Sequence, residues 1–88
     1  ILVGHNAHFD KSFIDASASR NNINKTPFHK FSVIDTVSLG VLATGQTVLA
    51  RICEKLSIEY DNDEAHSAAY DAKVTAEVFC NIVNNFDL

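Results

Sequence analysis

The apolar positions along the chain come first as a short run, then at helical spacing, and that order repeats. Ile1 to Gly4 is apolar and partly β-branched, which predicts a buried strand. Asn6 stands next as an N-cap. From Ala7, apolar residues recur at Phe9, Phe13, Ile14, Ala16 and Ala18, the spacing of an amphipathic helix. Arg20-Asn21-Asn22 is its polar stop. Asn24 to Pro27 reads as loop, because Pro27 restricts Thr26 to extended geometry. Val33-Ile34, within Phe31 to Asp35, predicts a second strand. Thr36, with Asp35, caps a helix running through Ala43, and Thr44-Gly45 breaks it. Thr47 to Leu56 predicts another helix, with Val48, Ile52 and Leu56 on one face. Glu59 to Glu64 is polar loop. Ala69, Ala72, Ala76, Phe79, Val83 and Phe86 then step by threes and fours, a single apolar helix face that begins after a Ser67 cap.

This order of strand, helix, strand and three helices predicts an α/β fold with one parallel βαβ unit. Two strands make a poor sheet, whose faces and edges need covering. The pattern therefore anticipates either further strands from outside this stretch or pairing of two copies. At 88 residues the chain is at most one small domain, here taken as residues 1–88. It begins with Ile1 and contains no Met, so a natural start is expected upstream.

Composition narrows the class. A chain 47% hydrophobic and 20% charged is globular in character. No apolar run reaches the roughly 18 residues of a membrane span, so no membrane partner is expected, and no signal-peptide pattern opens the chain. Cys53 and Cys80 both fall in apolar helical patterns, which predicts reduced core thiols in a cytoplasmic protein. The net charge of −4 opposes attraction to a polyanion by the molecule as a whole. Lys11, Arg20, Lys25 and Lys30 nevertheless gather most of the basic residues in the first third, where they can form a local face for a phosphate backbone.

The candidate chemistry lies in two acids. Asp10 and Asp71 each fall at the start of a predicted helix, where the helix dipole favours a carboxylate. Simple dipole complementation explains either one alone. Phe9 adjoins Asp10, however, and His66 precedes Asp71 on the loop leading into its helix. Hard divalent cations such as Mg²⁺ and Mn²⁺ want carboxylate oxygens. A metal pair can activate water for phosphodiester hydrolysis, and a histidine of near-neutral pKa suits a general base. Phe9 and Phe31, beside charged groups, suit base stacking, which tolerates any sequence. His5 and His8 have a metal-like spacing, but zinc sites bring tighter ligand clusters.

His5-Asn6-x-x-Phe9-Asp10 resembles the second motif of the DEDD-type 3′–5′ exonucleases. His66-x-Ala68-x-x-Asp71 resembles the third motif of the histidine-bearing branch. Pro27 to Phe31, Asp35-Thr36, Gly45 to Leu49 and Ala65 to Ala68 are similar to members of that branch that trim RNA 3′ ends. The resemblance covers essentially the whole chain. It implies a ribonuclease H-like exonuclease fold, truncated here to two short parallel strands and about four helices, with the N-terminal antiparallel strands missing. It also implies a homodimer, two Mg²⁺ ions (Mn²⁺ as substitute), and trimming of the 3′ ends of tRNA and other stable RNAs. On this resemblance Asp10 and Asp71 are metal ligands and His66 is the general base. Phe9 and Phe31 stack on terminal nucleotides, while Arg20, Lys25 and Lys30 touch the RNA backbone. The family's first motif, an Asp-x-Glu pair, has no counterpart in these residues. The isolated chain is therefore expected to be inactive, as the C-terminal part of one exonuclease domain. DNA-directed proofreading and a non-catalytic binding or assembly role are the alternatives.

Overall fold

The computed structural model describes residues 1–65 and 67–86. It has two strands and four helices in the order β1 (Leu2–Gly4), α1 (Ala7–Arg20), β2 (Val33–Asp35), α2 (Thr36–Thr44), α3 (Leu49–Leu56) and α4 (Ala68–Asn84). The strands pair in parallel, with Leu2 opposite Val33, Val3 opposite Ile34 and Gly4 opposite Asp35. α1 is the crossover and packs on both strands, while α4 packs beside β1 and against α2 and α3. This is the expected α/β arrangement, and no single helix among the described residues is long and apolar enough to cross a membrane.

The core lies between α3 and α4. Ile52, Cys53, Val74 and Val78 are fully buried there, with Leu49, Leu56, Ile58, Tyr60, Tyr70 and Ile82 around them. Each such aliphatic side chain contributes about 1.5–3 kcal/mol relative to exposure. Gly40 lets α2 close on α3. A Cβ there would collide with the buried Ile52 side chain, so only hydrogen fits.

Three apolar assignments from the sequence change. On α4 the buried stripe is Tyr70, Val74, Val78 and Ile82, at steps of four. Ala69, Ala72, Ala76, Val83 and Phe86, expected to form the core face, are exposed. The helix is apolar on two sides, and α3 covers only one of them. On α1 the buried positions are Ala7, Lys11 and Ala18, whereas Phe9 and Phe13 are 66% and 61% exposed. Small residues permit close approach to the sheet, and the Lys11 ammonium is satisfied by Asp15 at 2.6 Å. On α3, Leu49, Ile52, Cys53 and Leu56 face inward, while Val48 precedes the helix and is exposed.

The cysteines divide. Both are free, but Cys53 is buried and Cys80 is exposed, so only the first is the core thiol anticipated. Burial, and then the Glu77 charge, push the Cys53 thiol up, which keeps it protonated and inert.

Helix ends follow local chemistry. Gly45 takes φ 77° and returns its N–H to the Val41 carbonyl, ending α2. The Ser67 hydroxyl accepts from the Tyr70 N–H and starts α4 as expected. Asn6 does not cap α1 as expected. It adopts φ 62°, its side chain makes no cap bond, and Asp35 serves instead.

Candidate functional site

β1 ends at Gly4 and the chain turns sharply through His5 and Asn6 into α1. That turn delivers Asp10 to the first turn of α1, and Asp71 occupies the same place in α4. Both acids line one cleft of about 740 Å³, together with Val3, Gly4, His5, Leu49, Tyr60 and Phe79. Two carboxylates far apart in sequence therefore share a cavity, each at the positive end of a helix.

The two acids are held differently. Asp10 is exposed on its helix, and its Oδ2 lies where a Cβ on Gly4 would come within 3.0 Å. Asp71 has a buried Oδ1 that finds no hydrogen-bond partner among the described residues. A buried carboxylate oxygen without a donor costs on the order of 1–3 kcal/mol or more, so it calls for a cation or a donor from elsewhere. Hard oxygen donors of this kind fit Mg²⁺ or Mn²⁺. The fit is partial, because no group of three or more His, Cys, Asp or Glu side chains among the described residues is placed to hold a metal. His66, expected as the general base, lies outside the described residues.

The corner beneath Asp10 is heavily hydrogen-bonded. The Asp35 carboxylate accepts from the backbone N–H groups of Asn6 (3.0 Å), Ala7 (2.9 Å) and Val37 (2.9 Å). Burial raises its pKa, but those three bonds and the nearby His5 outweigh burial and hold the carboxyl below its usual value. The His5 ring spans Thr36 Oγ1 through Nδ1 and the Thr47 carbonyl through Nε2, each at 2.8 Å. Nε2 donates to that carbonyl, and Nδ1 meets the Thr36 hydroxyl, which also donates to the Gly4 carbonyl at 3.4 Å. These contacts place His5 in the frame of the site and not in a zinc cluster.

Tyr60 also lines the cleft, and nothing in its polar sequence context marks it. Burial first, then the Asp71 charge, push its phenol up, so it remains neutral across the physiological range.

The expected substrate residues lie outside the cleft. Phe9 lines a small hollow with His5, Asn6, His8 and Asp35, and its ring meets Phe13 edge-on at 5.0 Å. Phe31 is 77% exposed, with the Lys30 Nζ 5.5 Å from its ring centroid. His29 Nδ1 accepts from the N–H groups of Phe31 and Ser32, which fixes that loop. Lys25 and Lys30 line a common groove with Lys11, Asn22 and Asn24, whereas Arg20, in the last turn of α1, does not line it.

A family model for exonucleases, of the ribonuclease T type, matches residues 1–79. Ribonuclease T of Hahella chejuensis is 57% identical over 86 residues, which is 98% of this chain and 39% of that protein. Ribonuclease T of Vibrio cholerae is 54% identical over 86 residues, 98% of this chain and 38% of that protein. The chain thus spans about two fifths of the length of the curated relatives it matches.

Proposed function

Because the chain belongs to the exonuclease family, we propose that the protein containing it is a 3′–5′ exoribonuclease that trims the 3′ ends of tRNA and other stable RNAs. The observation that carries this reading is the meeting of Asp10 and Asp71 in one cleft, with a buried Asp71 oxygen left without a donor. The ribonuclease T relatives support RNA as the substrate.

In this reading Asp10 and Asp71 hold divalent metal, two Mg²⁺ ions in the complete site, for which Mn²⁺ can substitute. When bound, the ions supply charge stabilisation to the phosphoryl oxygens and lower the pKa of the attacking water. His66 accepts the proton of that water. Phe9 and Phe31 offer exposed rings on which the terminal bases stack, independently of sequence. Lys25 and Lys30, with Arg20 further along α1, neutralise backbone phosphates. The fold that completes the site is ribonuclease H-like, and the protein acts as a cytoplasmic homodimer. The exposed apolar side of α4 supports further packing partners there.

Two carboxylates are too few for two metals, so a polypeptide of these 88 residues alone releases no nucleotide. The test is 3′-nucleotide release from matched RNA and DNA oligonucleotides by the intact protein, with and without Mg²⁺. Mg²⁺-dependent release from RNA, abolished by His66→Ala, is expected. Preference for DNA would favour a proofreading-type enzyme, and no release from either would leave a binding or assembly module.

A further inference from the structure

Asp35 ends β2 directly opposite Gly4, the last residue of β1. Its carboxylate therefore stands between the N-termini of α1 and α2. Oδ1 accepts from Asn6 and Val37, and Oδ2 accepts from Ala7. One side chain thus caps both helices. Both helix dipoles favour a negative charge at that point. For α1 this cap substitutes for a missing one, since Asn6 gives no side-chain bond of its own.

Asp35 does not line the cleft shared by Asp10 and Asp71; it faces the hollow beside Phe9 on the other side of the corner. Any influence on Asp10 therefore passes through the backbone. Ala7 is the first residue of α1, and Asp10 stands in that same first turn. The His5 ring, bonded to Thr36 and Thr47, fastens the corner from the other end.

We propose that Asp35 is a positioning residue for Asp10, fixing the first turn of α1 against the start of α2 so that the Asp10 carboxylate enters the cleft in one orientation. The proposal rests on the reading of Asp10 as a metal ligand. Partners that orient a ligand from behind change metal affinity by roughly 10- to 100-fold when removed.

The experiment uses the intact protein with Asp35→Asn and Asp35→Ser. Asparagine keeps the volume and the bond to Val37 but turns an NH₂ group towards one of the α1 donors. Serine keeps the α2 cap and is too short to reach α1. Mn²⁺ binding is titrated calorimetrically without RNA, amide exchange is followed at Asn6 to Asp10, and melting is recorded. Mn²⁺ affinity about tenfold weaker in both variants, with faster exchange in that turn and a retained cooperative melt, is expected. Unchanged Mn²⁺ affinity in the folded variants overturns the proposal. Loss of cooperative melting in both also overturns it, because the carboxylate then serves the fold as a whole. Asp10→Asn is the control. If it weakens Mn²⁺ binding and the Asp35 variants do not, only the positioning role fails. If it leaves Mn²⁺ binding unchanged, the metal-ligand reading fails and takes the positioning role with it.

Discussion

The Asp10 carboxylate rests against the backbone of Gly4, so closely that a β-carbon added there would stand 3.0 Å from Oδ2. The same β-carbon would meet the Ala7 Cα at 3.2 Å. Strand end, helix start and acid are packed as one unit, and each limits where the others can be.

Gly4→Ala should therefore cost about 1–3 kcal/mol of stability, as overpacking does. It should also displace Asp10 from the cleft and lower nucleotide release by the intact protein at least about tenfold, on the scale of a misplaced metal ligand. Urea unfolding and an exonuclease assay at 25 °C measure the two effects separately. Full activity in the variant would show that Asp10 need not sit where it does.

Asp71 should trade stability for function. A carboxylate in the first turn of α4 gains about 0.3–1 kcal/mol from the helix dipole. Its buried, unpartnered Oδ1 costs on the order of 1–3 kcal/mol. The second effect is larger, so Asp71→Ala should match or exceed the melting temperature of the unsubstituted protein in chelator, while abolishing metal-dependent hydrolysis. A clear drop in the metal-free melting temperature would mean that the carboxylate is satisfied structurally.

Asp35 should make stability depend on acid pH. Its folded pKa lies below the ordinary value of 3.8, because three N–H donors and His5 outweigh burial. A carboxyl with a depressed folded pKa contributes stability that is complete above the unfolded pKa and is lost as pH falls through the folded one. The melting-temperature gap between the protein and its Asp35→Asn variant should be widest near neutrality and close progressively below pH 3.8. Thermal scans from pH 7 to pH 3 read this directly, and a gap that stays constant would contradict it.

Phe31 should matter for substrate and not for folding. It is 77% exposed, so Phe31→Ala should shift stability by less than about 0.5 kcal/mol. Losing one stacked base costs about 1–3 kcal/mol, a rise in KM for RNA of about 5- to 150-fold. Steady-state kinetics on a short RNA, beside a melting curve, decide it. An unchanged KM would remove Phe31 from the substrate path.

The sequence by itself determined which elements form and in what order. The short apolar runs, the spacings of three and four, the Asn and Gly stops and the Ser67 cap act within a few residues, so they are legible without knowing the fold. It also displayed the acids at the two helix starts, since a motif is a local string. Only the tertiary structure decided which apolar faces are buried. α4 has apolar residues on two sides, and the choice of Val74 and Val78 over Ala72 and Ala76 depends on where α3 lies. Likewise, α1 buries Ala7, Lys11 and Ala18 and leaves Phe9 and Phe13 outside, a choice set by which side of the helix meets the rest of the chain. The double cap by Asp35 and the close contact of Gly4 with Asp10 follow from parallel pairing of Gly4 with Asp35. Residues brought together by strand register carry no mark of their partnership in the sequence around them.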